Sequence, residues 1–228
     1  MKRSFLFLTA LSLSSLILSG RALASPATDE LSAGHYARAY DLAQQSGDLP
    51  TASSAALAAV GFTPSPDSAG IDRALKSALA TVQANPNSVQ AHLDLAGAYG
   101  LRASTSGLSP AAYRLARDAR GEIERAVALD PHSARALAAL ARWHAGAYAR
   151  AGRLIGGNPD TARQLATQAL AGAANDIGVY VNIAAALNDL KDPRSARTVL
   201  NRALSLTPQN AVERDYQAQG KALLTKLK

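Results

Sequence analysis

The chain has 228 residues, with 24 Lys and Arg against 17 Asp and Glu, no Cys, one Trp and 5% aromatic residues. The absence of Cys excludes disulfides, thiolate chemistry and a lipid anchor on cysteine. Basic residues are scattered rather than gathered into a stripe, which argues against a nucleic-acid partner. Alanine supplies much of the apolar content, and alanine is the strongest helix former because it loses no side-chain entropy.

The first element is not part of the fold. Lys2 and Arg3 precede an apolar run from Phe5 to Leu18, and Ala22-Leu23-Ala24 forms a small-x-small site before Ser25. This three-part pattern is that of a secretory signal peptide over residues 1–24. The run is shorter than the about 20 apolar residues of a membrane span. Cleavage after Ala24 predicts a periplasmic or secreted chain with no stable membrane insertion. It also removes Lys2, Arg3 and Arg21, leaving 21 basic and 17 acidic residues, so part of the basicity belongs to targeting.

Ten helices are expected from there on, over 30–46, 51–62, 68–84, 89–103, 110–129, 134–152, 159–173, 177–190, 193–206 and 211–226. Their starts are marked by residues whose side-chain oxygen can accept an orphan backbone N–H. Ser88, Ser133 and Asn210 lie two positions after a proline, and Asp176 holds the equivalent place. Ser109-Pro110, Asn158-Pro159 and Asp192-Pro193 use a second device, a cap followed by proline at the first helical position. No Val/Ile/Thr-rich alternating run suggests a strand.

The punctuation repeats. Ser195-Ala196-Arg197, Arg202-Ala203 and Leu206-Thr207-Pro208 align without a gap on Asp118-Ala119-Arg120, Arg125-Ala126 and Leu129-Asp130-Pro131. Thr161-Ala162-Arg163 falls 34 residues before Ser195-Ala196-Arg197, and Pro159 falls 34 before Pro193. A fainter copy runs through Arg73-Ala74, Ala78 and Asn85-Pro86. Period and residue order together resemble the tetratricopeptide repeat, or TPR. Leu95-Ala96-x-x-Tyr99, Leu140-Ala141-x-x-His144 and Ile183-Ala184-x-x-Leu187 match the first half of its signature. Ala119-x3-Ile123, Ala162-x3-Ala166 and Ala196-x3-Leu200 match the second. The resemblance implies an all-α, tetratricopeptide-type α-solenoid of antiparallel helix pairs. Its expected organisation is a degenerate repeat over 25–67, TPR-like repeats over 68–210 and a polar capping helix over 211–228. Gly34-x-Tyr36-x-x-Ala39 looks like the middle of an earlier repeat.

Two repeats are longer than the family period. Pro86 to Pro131 is 45 residues and Pro131 to Ala174 is 43. The extra residues fall at Arg102–Ser109 and Tyr148–Gly157, either as functional loops or as additional helical turns.

In the TPR family the first helix of each pair lines a concave groove. Carried over, the inward positions are Gln90, Leu93, Asp94 and Gly97, then Arg135, Ala138, Ala139 and Arg142, then Val181, Asn182, Ala185 and Asn188. The polar ones, Gln90, Asp94, Arg135, Arg142, Asn182 and Asn188, are the candidate partner-binding residues. Arg135 and Arg142 are two turns apart on one face and suit carboxylates of a protein or peptide partner, or else serve as solvent-facing spacers. The Lys and Asn set with which some members clamp a C-terminal carboxylate is missing. A faint resemblance to the periplasmic TPR component of tripartite ATP-independent transporters offers a second function, a ligand-handling subunit of a transport system.

Other motifs carry less. Gly152-Arg153-Leu154-Ile155-Gly156-Gly157-Asn158 is either an anion-binding loop or a helix end and turn. His144 takes a signature position and is expected to be packed. The four histidines show no metal-ligand spacing. Glu122 and Glu124 lie among Arg120 and Arg125 as solvated charges. No catalytic residue, cofactor or metal ligand is expected.

Overall fold

The computed structural model describes residues 25–63, 65–107 and 109–227; the expected signal peptide lies outside them. Eleven helices follow one another among the described residues: α1 (Pro26–Ala33), α2 (Tyr36–Ser46), α3 (Leu49–Gly61), α4 (Ser68–Ala84), α5 (Val89–Thr105), α6 (Pro110–Leu129), α7 (Ala134–Ala151), α8 (Pro159–Gly172), α9 (Ile177–Asp189), α10 (Pro193–Ser205) and α11 (Ala211–Leu224).

The seven expected caps all form. Ser88, Ser109, Ser133, Asn158, Asp176, Asp192 and Asn210 each accept a bond from a backbone N–H in the first turn of their helix. Ser25, Asp48 and Asp67 do the same for α1, α3 and α4. The single helix expected over 30–46 is two. Pro26 starts α1 early, and Gly34 ends it in the left-handed region, φ 97°, with its N–H on the carbonyls of Glu30 and Leu31. Glycine takes that conformation without a Cβ penalty.

The long repeats are explained mainly by longer helices. The helices α5 and α6 have 17 and 20 residues, against 13 each in α9 and α10, which accounts for the first insertion. The second is divided between α7, at 18 residues, and the turn after it.

Each odd-numbered helix packs antiparallel on the even-numbered one that follows, forming hairpins. The odd-numbered helices also pack side by side in a row, from α1 through α3, α5, α7 and α9 to α11, while the even-numbered ones stand outside. Helix α11 then meets α1, so the inner row closes on itself.

Alanine makes this possible. Ala74, Ala78, Ala126, Ala141, Ala162, Ala169, Ala184, Ala196 and Ala203 are wholly buried, and a larger side chain at such a position would overpack the helix contact. Leu137, Ile183, Val179 and Leu200 fill the gaps between them in the largest core cluster. Leu137, Leu140, Ala141 and His144 form the buried stripe of α7, as the repeat register requires. His144 is edge-on to Trp143, with ring centroids 5.2 Å apart, and its Nδ1 has no partner. Burial, aided by the charge of Arg120, holds its imidazole below the usual histidine range.

Ala203 lies fully buried in a cluster with Ile177 and Val181, whereas Lys226 is exposed. Overpacking a tight crossing costs roughly 1–3 kcal/mol or more, and an exposed substitution stays within about 0.5 kcal/mol. Ala203→Trp is therefore expected to lower the thermal midpoint by several degrees, while Lys226→Ala leaves it in place. Equal midpoints in thermal melts would contradict the repeat register.

Candidate functional site

The inner row places the candidate residues on α5, α7 and α9, and most of their polar atoms already have partners. Asp94 is only 3% exposed and accepts hydrogen bonds from Gln90 Nε2 at 2.6 Å and Ser54 Oγ at 2.9 Å. Arg135 donates from Nε to Asp176, the α9 cap, at 2.5 Å. Arg142 donates to Asp189 at the other end of α9. Asn182 Nδ2 donates to the Gly178 carbonyl at 2.9 Å. Asn188 is partly buried on the same helix.

The two arginines do lie on α7 away from its buried stripe, yet their charges are met by α9 of the same chain. Ala138 and Val181, carried over from the family as groove positions, are instead buried in the core.

Helix α11 ends the inner row, packed on α9 and α10 and meeting α1, and it sends a side chain towards these residues. Tyr216 packs edge-on to Phe62, with centroids 5.0 Å apart at 88°. Its ring rests on Gly178, where a Cβ would come within 3.0 Å of it. Burial pushes the Tyr216 phenol up; Asp176 and Asp94 add to the shift, and Arg135 and Asn182 oppose it. The phenol thus lies amid the same polar residues that sequence assigned to a partner.

Gln217 Nε2 donates to the carbonyls of Ala203 and Leu206, at 3.1 and 2.7 Å, at the otherwise unpaired C-terminal end of α10. Gly220 lets α11 approach Val181, Leu200 and Leu204 closely.

The opposite side of α11 meets the start of the chain. Tyr36 Oη donates to Asp215, Arg214 to the Ala33 carbonyl at 3.4 Å, and Gln219 Nε2 to the Gly61 carbonyl at 3.2 Å. Burial and the bond to Asp215 hold the Tyr36 phenol above its ordinary range. Gly34 leaves room for Ala211, whose Cβ lies 2.9 Å from where a side chain would begin.

The capping helix is therefore more than a polar end-piece. Its charges advertise a solvated helix, but Tyr216, Gln217 and Gly220 hold it to the last repeat while Ala211, Arg214 and Asp215 meet the start of the chain. Sequence reasoning missed Tyr216, Tyr36 and Phe62. The available signal was an aromatic residue, Tyr216, four positions before Gly220 on a helix otherwise rich in charge.

The glycine-rich turn after α7 leads directly into the capped start of α8. Asn158 already accepts from the N–H groups of Asp160 and Thr161, and Arg153 faces Asp160 at 3.7 Å. Gly157 passes so close to α7 that a Cβ would lie 2.3 Å from the Tyr148 nitrogen. Nearby, Arg120 lies over the Trp143 ring at 5.0 Å, and the indole donates to the Ala116 carbonyl at 2.8 Å. His92 is held between Glu122, at 2.6 Å, and the Pro86 carbonyl, at 2.9 Å. A shallow cleft of about 510 Å³ beside Tyr99, Arg120 and Glu124 mixes both signs of charge. No group of three or more metal-ligating side chains occurs among the described residues. No described helix is long and apolar enough to cross a membrane.

The stacked hairpins with capped helix starts and buried alanines define a TPR-like α-solenoid. A family model described as Regulator of microtubule dynamics protein 1-3 matches residues 65–228, and the chain belongs to that family. It is similar to the crystal structure of a thermophilic TPR protein of Thermus thermophilus, with 18% identity and a TM-score of 0.60. That match covers 83% of this chain and 92% of the other, and shows the fold. Two crystal structures of MamA are similar at 16% and 18% identity, with TM-scores of 0.40 and 0.38. They cover 70% and 87% of this chain, and 87% of each MamA chain is covered. No curated protein sequence matches.

Asp94 is a testable centre of this face. Burial raises its carboxyl above the usual range, against the lowering effects of Gln90, Ser54 and Arg135. A raised folded-state value means the native state binds the proton more tightly than the unfolded chain. Asp94 therefore costs stability once pH rises through its folded value. Asp94→Asn is expected to raise the melting temperature at neutral pH, and the gain should shrink on acidification towards pH 4, where aspartate protonates even when unfolded. A pH-independent loss in thermal melts would contradict the burial argument.

Proposed function

We propose that the chain is an exported interaction scaffold, working in the periplasm or outside the cell, whose concave face receives a segment of a partner protein. The segment would meet Gln90, Asp94, Arg135, Arg142, Asn182 and Asn188. One observation supports this reading: the Tyr216 phenol is held among Arg135, Asn182 and Asp94, so these residues already receive an amphipathic side chain. Export rests on the charged, apolar and small-residue segments of residues 1–24. The family name speaks of regulating microtubule dynamics, a protein-directed role, which agrees with binding rather than catalysis.

A partner's carboxylates would not meet bare cations. They would enter by sharing Arg135 with Asp176 and Arg142 with Asp189, so their contribution should fall as salt shortens the screening length.

Two measurements test the reading. N-terminal sequencing of exported material should give Ser25 first, and Met1 on the exported product would contradict export by cleavage. For a partner co-purified from the native host, Arg135→Gln/Arg142→Gln is expected to weaken binding about tenfold by calorimetry, a loss of ~1.4 kcal/mol. Circular dichroism should stay unchanged. Full affinity in a folded double variant would move the site off the concave face.

A further inference from the structure

We propose that the start of α6 and the turn from α7 to α8 form a docking tip for the surface of an anionic phospholipid bilayer. The tip lies apart from the concave face and does not rest on the reading given for that face.

Apolar exposure is concentrated there. Among the described residues the exposed large apolar side chains are Leu79, Tyr113, Tyr148 and Leu154, and the last three belong to the two lengthened hairpins. Leu154 is 90% exposed, close to the accessibility of a free side chain, and Tyr113 and Tyr148 are 46% and 38% exposed. The packing gathers them at one end of the molecule. A short turn joins α6 to α7, and Trp143 Nε1 donates across the pair to the Ala116 carbonyl, almost symmetrically about that turn. The two helices are therefore antiparallel, and the first turn of α6, with Tyr113, shares an end with the last turn of α7, with Tyr148. The glycine-rich turn then folds back over the pair. A Cβ at Gly156 would lie 2.9 Å from Arg120 Nη1 and 3.8 Å from the Trp143 ring, and one at Gly157 would lie 2.3 Å from the Tyr148 nitrogen. Gly152 and Gly156 both hold positive φ, which glycine does without a Cβ penalty. Between them Leu154 stands at the crest, beyond the end of α7.

The rim of the tip is cationic. Arg114, Arg117, Arg150 and Arg153 are all exposed. Asp118 faces Arg117 at 3.5 Å, and Asp160 faces Arg153 at 3.7 Å. Arg150 donates only to the Gly146 carbonyl of its own helix, and among the described residues no carboxylate pairs with Arg114 or Arg150. Four guanidinium groups thus face two carboxylates. Along the axis the order is leucine, then tyrosine, then arginine. A bilayer boundary has the same order of polarity: acyl chains accept the leucine, tyrosine rings sit at headgroup level, and guanidinium forks match phosphate oxygens. A protein interface asks instead for a packed patch of about 800 Å² on each partner with an apolar centre, and a lone leucine on a projecting turn is not such a centre. No described helix crosses a membrane, so attachment through the tip is peripheral and reversible.

The chain has no cysteine, so a single one can be introduced for labelling. Leu154→Cys, and His132→Cys at the opposite end of α7, are labelled in the full chain with the environment-sensitive fluorophore NBD, which stands in for the leucine. Each is titrated with vesicles of phosphatidylglycerol and phosphatidylcholine in equal parts, or of phosphatidylcholine alone. The label at 154 should shift to the blue and brighten at least twofold on the anionic vesicles and respond little to phosphatidylcholine, while the label at 132 stays unchanged. Adding Arg114→Gln/Arg150→Gln/Arg153→Gln to the chain labelled at 154 should raise the anionic lipid needed for half-saturation about tenfold, with circular dichroism unchanged. Salt near 1 M, where the screening length falls to about 3 Å, should do the same. No response at 154, equal responses at 154 and 132, or an undiminished response in the folded arginine variant overturns the proposal. So does photocrosslinking from position 154 in the native host that captures a protein in place of lipid, because the tip would then be a protein interface.

Discussion

Close approach of helix backbones at alanine is the constraint on which the rest of the molecule depends. A crossing that buries Ala126 or Ala196 brings two helices nearer than leucine would allow, and dispersion rewards that only while the spacing is kept. Repeating the crossing every hairpin turns each pair relative to the one before. In this chain the rotation brings the sixth odd-numbered helix back to the first. Closure then adds its own contacts, the bonds of Tyr36 to Asp215 and of Arg214 to the Ala33 carbonyl, with Gly34 admitting Ala211.

Closure changes what the concave face is. In an open solenoid the inner side chains of first helices face solvent. Here Asp94 is drawn out of water beneath Gln90 and Ser54, and Arg135 and Arg142 spend their charge on the ends of α9. Tyr216 then enters among them. The result combines an alanine-packed wall, shared by the inner and outer helices, with an inner surface held by polar bonds.

The sequence carried the wall plainly and the inner contacts poorly. Caps were legible because Ser, Asp and Asn followed by proline have few other uses, and the register was legible because alanine recurred at fixed offsets. Gly34 hid the break between α1 and α2, since glycine inside a helical pattern is also tolerated. Extra length in the long repeats could have been loop or helix, and only packing along α5 and α6 decided for helix. The entry of Tyr216 among the polar residues of the face was not legible. Glu213, Arg214, Asp215 and Lys221 give that helix a solvated pattern, and the bond of Tyr36 to Asp215 links positions 179 apart. Nor could position alone reveal that Asp176, chosen as a cap, also neutralises Arg135.

The docking of α11 is tested most directly by native-state hydrogen exchange resolved to single helices. The account predicts that amides of α11 exchange more slowly than in an unfolded chain but well before those of α7 and α9, through an opening that leaves the wall intact. Unprotected α11 amides would mean that the helix does not dock in solution. Exchange of α11 only together with α7 and α9 would mean that it is an inseparable part of the core, and either result would contradict a helix that docks on the last repeat as a separately opening end piece.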